Sequence, residues 1–205
     1  MKTLFLCSYF AGVQPLFEKF AEQHELEKKV LFLPTAGNVE EYRDYIDEGR
    51  AVFADLQFEV ALLDIAEVTE AVAREKITQT PCLYISGGNT FYLLQELKRK
   101  NLLSLIRERI NQGMVYIGES AGAIIASSDI SYNQIMDDKH LAPDLTDDAA
   151  LGLVDFSVLP HWGEFPFEET AEQTAAVYEG QLKLLKLTNQ QAVLVDDDNY
   201  AAENS

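Results

Sequence analysis

Gly118-Glu119-Ser120-Ala121-Gly122 is a G-x-S-x-G segment that directly follows the apolar run Met114-Val115-Tyr116-Ile117. A serine flanked in this way can sit on a sharp strand-to-helix turn, where a Cβ on either glycine would clash as the backbone folds back. Such a turn lifts the hydroxyl clear of a sheet and aims the N–H of the next residue at whatever the hydroxyl attacks. That geometry suits covalent acyl transfer, with Ser120 as nucleophile. A tight βα turn that is merely rich in Gly and Ser is spelled the same way, so the chemistry needs further residues.

A second segment, Tyr84-Ile85-Ser86-Gly87-Gly88-Asn89-Thr90-Phe91, again ends a strand in glycines and opens a helix, which Asn89 or Thr90 can cap. Read alone, it is a Gly-rich βα turn with a helix cap. Beside a nucleophilic serine, its glycines become donors for the second half of an oxyanion hole, whose first half is the N–H of Ala121. A phosphate cradle fits less well, because no G-x-x-x-x-G-K-[ST] pattern or neighbouring lysine is present.

The base must come from three histidines. His24 ends an amphipathic helix and reads as a surface residue. His140 lies among Asp137, Asp138 and Lys139 and reads as solvated. His161 follows Val158-Leu159-Pro160 at a strand end, the edge where Ser120 is also expected, and is the candidate base. A strand-end histidine can equally be structural. Glu119 reads either as a solvent-facing residue or as a group that binds a substrate ammonium. No histidine pair has helical ligand spacing, so no metal is expected, and no cofactor either. Asp196-Asp197-Asp198 lacks the alternate spacing and glycine of a calcium loop and reads as a solvated chain end.

These residues need a scaffold. Candidate strands are 3–8, 29–34, 58–64, 82–86, 114–118, 156–159 and 192–195, several of them continuously apolar. Helical patterns lie at 13–24, 39–56, 68–78, 91–100, 102–112 and 166–185. This alternation predicts an α/β fold, a mostly parallel sheet covered by helices on both faces, with the chemistry at the carboxyl ends of the strands. Residues 128–151 are polar and aperiodic and read as a long loop near the nucleophile. With 205 residues and no linker-like stretch, a single domain over 1–205 is expected.

A net charge of −18 argues against nucleic-acid and membrane-surface binding, because such a surface repels phosphates. No stretch is long enough to span a bilayer, and the first residues are too quickly polar for a signal peptide. Cys7 and Cys82 lie in apolar runs and read as buried free thiols, in keeping with a cytoplasmic location.

Taken together, Ser86-Gly87-Gly88-Asn89-Thr90-Phe91 with Leu93-Leu94, Gly118-Glu119-Ser120-Ala121-Gly122-Ala123, and Leu159-Pro160-His161 resemble the signature blocks of peptidase family S51. This is the dipeptidase E (alpha-aspartyl dipeptidase) and cyanophycinase group. The resemblance implies a doubly wound fold related to class I glutamine amidotransferases. It also implies metal-free hydrolysis of a small peptide substrate near a free amino terminus. By the same resemblance Ser120 is the nucleophile, His161 the general base, and Gly88 and Ala121 the oxyanion donors. The family's acidic third member corresponds here to Asp129 or Asp137 after the nucleophile, or to Asn189 before the last strand, an amide where a glutamate is expected. The segment Asp129-Ile130-Ser131-Tyr132-Asn133-Gln134 carries no Arg or Lys, so the resemblance stops short of aspartyl specificity. Other readings are an isopeptide hydrolase of the cyanophycinase kind, an esterase or amidotransferase-type activity, and a catalytically silent ligand-binding domain. A glutaminase would carry cysteine at position 120.

Overall fold

The computed structural model describes residues 2–205. The chain runs through β1 (Thr3–Cys7), α1 (Gln14–Gln23), β2 (Lys29–Leu33), α2 (Asp44–Asp55), β3 (Glu59–Leu62), α3 (Glu70–Gln79), β4 (Cys82–Ile85) and α4 (Thr90–Arg99). It continues with α5 (Leu103–Asn111), β5 (Val115–Glu119), α6 (Ala121–Ile124), β6 (Ser157–Leu159), α7 (Glu168–Tyr178), β7 (Leu184–Lys186), β8 (Gln191–Asp196) and β9 (Asn199–Asn204). Seven strands form one sheet in the order β3-β2-β4-β5-β1-β8-β9. The pairs from β3 through β1 are parallel, and β8 and β9 add antiparallel.

The period-two alternation of a strand sends neighbouring residues to opposite faces. Leu4, Leu6, Leu31, Leu33, Leu83 and Ile85 therefore pack with the apolar faces of α3, α4 and α5. Phe5, Cys7, Phe32, Tyr84 and Ile117 pack on the other side with Phe17, Phe20, Val52 and Phe53 of α1 and α2. The second cluster is rich in aromatic rings, with Tyr84 centred 4.4 Å from Phe32 and 5.0 Å from Phe10. Both cysteines are buried and free, and among the described residues no helix is long and apolar enough to cross a membrane.

Parallel pairing brings three strand ends to one edge. Cys7 lies opposite Glu119, and Ile85 opposite Gly118, so the turns after β1, β4 and β5 converge there. The expected helix over 166–185 is shorter than its pattern. It ends at Tyr178, and Leu184–Lys186 forms β7 beside β6 in a separate two-stranded parallel sheet. Asp196-Asp197-Asp198 is solvated at Asp197 and Asp198, as expected, but it forms a hairpin turn and not a chain end. Asp197, with φ of 52°, turns the chain into β9, as a two-residue hairpin loop requires. Residues 128–151 contain two 3-10 turns, Ser131–Ile135 and Lys139–Leu141.

Candidate active site

Ser120 stands between β5 and α6 with φ of 47° and ψ of −106°, a conformation that side-chain-bearing residues adopt only at a cost of about 1–3 kcal/mol. The flanking glycines make the turn possible. A Cβ on Gly118 would lie 2.4 Å from the Gly122 carbonyl oxygen, and one on Gly122 would lie 2.2 Å from that of Ile85. The turn is tied to its surroundings by the Ser120 N–H, which donates to the Cys7 carbonyl at 2.9 Å, and by the Tyr116 hydroxyl, which donates to the Gly122 carbonyl at 2.6 Å.

The loop after β4 packs alongside, with Gly87 against the Ser120 Cβ. Gly88 has φ of +128°, and a Cβ there would meet the Ala36 carbonyl at 2.3 Å. Asn89 then caps α4, its side-chain oxygen accepting from the Tyr92 N–H at 2.9 Å. Among the described residues neither the Gly88 nor the Ala121 N–H finds an acceptor. Asp137 braces this loop from the far side, accepting from the Thr90 N–H at 2.7 Å and from the Asn133 amide at 2.8 Å. Burial pushes its carboxyl up to about 6, against the pull of those hydrogen bonds.

His161 arrives from the small sheet, just beyond β6. Its Nε2 lies 3.0 Å from the Ser120 Oγ, and its Nδ1 lies 2.8 Å from the Asn189 Oδ1. An amide oxygen only accepts, so with Asn189 oriented this way the neutral ring carries its proton on Nδ1. Nε2 is then left to accept from the serine hydroxyl. The His161 backbone is in the left-handed region at φ of 58°. Its N–H donates to the Ser8 Oγ at 3.2 Å, while the Ser8 hydroxyl donates to the Leu187 carbonyl at 2.8 Å. The ring stacks on Phe167 at 4.6 Å. Burial holds the imidazole below its ordinary 6.5, outweighing the opposite pull of the Asn189 hydrogen bond and the Glu164 charge.

The structure thus gathers Ser120, His161, Asn189 and the loop carrying Gly88 at one point. Asp137 supports the start of α4 instead, and Asp129 accepts from the Ser131 N–H at 2.8 Å, so neither contacts His161. His140 is exposed in a 3-10 turn. The surface reading of His24 needs correction: its side chain is only 12% exposed, with Nε2 3.7 Å from Asp196, because Phe20 and the β8–β9 hairpin cover it. Both readings of Glu119 also fail. It is 2% exposed, and its oxygens accept from the Phe10 N–H at 2.8 Å, the Tyr84 hydroxyl at 2.6 Å and the Gly87 N–H at 3.4 Å. The convergence of the β1 and β4 turns leaves backbone donors there that require an acceptor. Burial still pushes this carboxyl upward. Ser8 and Phe167 carried no sequence signal, since Ser8 matters only through a partner 153 residues away and Phe167 only through its stacking on His161. Among the described residues no three His, Cys, Asp or Glu side chains cluster to hold a metal.

Residues 5–202 match the family model described as peptidase family S51. A protein named uncharacterized peptidase in Pasteurella multocida (strain Pm70) is 43% identical over 198 residues, covering 97% of this chain and 95% of the relative. Peptidase E of Shewanella sp. (strain W3-18-1) is 33% identical over 158 residues, covering 77% of this chain and 62% of that one. A crystal structure of a protein assigned to Peptidase E from Listeria monocytogenes EGD-e superposes with a TM-score of 0.94 at 40% identity, covering 100% of this chain and 99% of the other. The chain therefore belongs to peptidase family S51 and is a peptidase, a hydrolase.

Proposed function

We propose that this protein is a serine-type peptidase, acting as a single α/β domain in the cytoplasm, that cleaves short peptides near a free amino terminus through an acyl-enzyme on Ser120. What carries the reading is the chain of two contacts, 3.0 Å from the Ser120 Oγ to the His161 Nε2 and 2.8 Å from Nδ1 to Asn189. His161 takes the hydroxyl proton on Nε2 as the Ser120 oxygen bonds to the carbonyl carbon. The Gly88 and Ala121 N–H groups, which have no internal acceptor, receive the oxyanion. Nε2 then passes its proton to the departing amine as the C–N bond breaks. Water attacks the ester, gives a proton to Nε2, and the serine is regenerated.

Asn189 orients the imidazole without a charge to stabilise its protonated form, so the base relies on geometry more than on a carboxylate. The low-lying His161 keeps the ring neutral and ready to accept a proton near pH 7. The test is labelling by a fluorophosphonate probe together with cleavage of a dipeptide panel. The wild type should be labelled and active, and Ser120→Ala neither. Labelling of Ser120→Ala at the wild-type rate would refute the assignment.

A further inference from the structure

We propose that Glu119 is a positioning residue of this site, a buried carboxylate that holds together the two loops on which the oxyanion donors and the base depend. The inference rests on the serine-peptidase reading of Ser120.

Glu119 is the last residue of β5 and sits directly before Ser120 in the chain. Its Oε1 accepts from the Phe10 N–H at 2.8 Å, and its Oε2 accepts from the Tyr84 hydroxyl at 2.6 Å and the Gly87 N–H at 3.4 Å. The first contact fixes the turn after β1. Two residues earlier in that turn, the Ser8 Oγ receives the His161 N–H and grips the Leu187 carbonyl. The third contact fixes the loop after β4. With the Gly87 N–H directed toward Glu119, the next N–H, that of Gly88, is left without an internal acceptor. One carboxylate thus spans the base side and the oxyanion side of the site. A carboxylate suits the place because it offers lone pairs only, and all three neighbours are donors. Burying a charge is unfavourable unless it is fully hydrogen-bonded, so these three contacts have to form together.

Glutamine at 119 keeps the shape but supplies a single oxygen. Its NH2 can face the Tyr84 hydroxyl, which can rotate to accept, but the Gly87 N–H then confronts another donor. The loop that carries Gly88 is expected to shift. A displacement of this order at the reacting centre costs roughly tenfold to a hundredfold in rate.

The experiment measures fluorophosphonate labelling rate, kcat and KM on the best-cleaved dipeptide of a panel, and thermal midpoint, for the wild type, Ser120→Ala, Glu119→Gln, Glu119→Asp and Phe53→Leu. Phe53 packs edge-on against Tyr84 at 5.2 Å and is not a hydrogen-bond partner of Glu119, so its variant controls for general loosening of the same core. Glu119→Gln is expected to label and turn over about 10–100-fold more slowly, with KM changed less than about twofold. Phe53→Leu is expected to lose thermal stability while labelling at close to the wild-type rate. Glu119→Asp, which keeps both oxygens but draws them back, is expected to fall between and decides the matter if the glutamine variant does not fold. Wild-type labelling rates in both Glu119 variants would overturn the positioning role, as would a Phe53→Leu defect as large as theirs. An unlabelled wild type would overturn the serine reading itself, and this inference with it.

Discussion

Ser120 and His161 meet at 3.0 Å, yet the two halves of the site that they represent are built in opposite ways. The serine half is a steric device built around one turn. Gly118 and Gly122 permit the turn through close approach to backbone atoms, and the strained φ is enforced by a helix that begins one residue later. The histidine half is assembled from afar. His161 leaves a two-stranded sheet separate from the one that carries Ser120. It is held by Ser8, 153 residues away in sequence, and by Asn189, 28 residues further on. A steric device of this kind fails abruptly when one atom is added. A network of weak, distant contacts loses function by degrees.

The largest test of that contrast removes the two groups proposed to react. Ser120→Ala and His161→Ala are each expected to lower kcat by about 10⁴–10⁶-fold while far-UV circular dichroism is unchanged. The serine half should then break at a single methyl group. Gly88→Ala places a Cβ 2.3 Å from the Ala36 carbonyl at a φ of +128°, and should cost roughly 10²–10³-fold in kcat along with a lower thermal midpoint. If Gly88→Ala kept wild-type kcat, the loop would not be supplying an oxyanion donor.

The histidine half should yield more gently. Asn189→Ala frees the ring to turn and is expected to cost about a hundredfold in kcat, with KM nearly constant. Because burial lowers the His161 imidazole, the acid limb of kcat/KM should fall below pH 6.5. Asn189→Asp adds a charge that favours the protonated ring and should move that limb upward. The same shift bears on stability. The unfolded chain binds this proton more readily than the folded one, so the stability of the fold should decline as pH falls through 6.5 toward the lower folded value. Denaturant titrations at several pH values would check the sign against a variant lacking His161. Ser8→Ala should have the mildest effect, a loss of several-fold in kcat, since each of its two hydrogen bonds contributes about 0.5–1.5 kcal/mol.

Much of the scaffold was readable along the chain. Continuous apolar runs marked the strands buried on both faces, and Asn89 stood where a helix needs a cap. The misreadings share one cause. Glu119 and His24 are polar residues whose surroundings come from elements far along the chain, so a local reading sent them to solvent. Leu184–Lys186 continued a helical pattern but pairs with β6 instead, because a partner strand satisfied its backbone. Asp137 had the right chemistry for a third catalytic member but is engaged at the start of α4, while Asn189 reaches the imidazole.

Residue types alone determined the turn at Ser120, the glycine loop beside it and the layering of helices on a parallel sheet, because each follows from sterics and periodicity over a few neighbouring positions. His161 and Asn189 were already candidates by position, but that they meet Ser120 in one line, that Asn189 and not Asp129 or Asp137 reaches the imidazole, and why a carboxylate lies buried beneath both loops were decided by tertiary structure. Those placements depend on hydrogen bonds between strand ends that are adjacent only after the sheet has closed, and no short stretch of sequence records them.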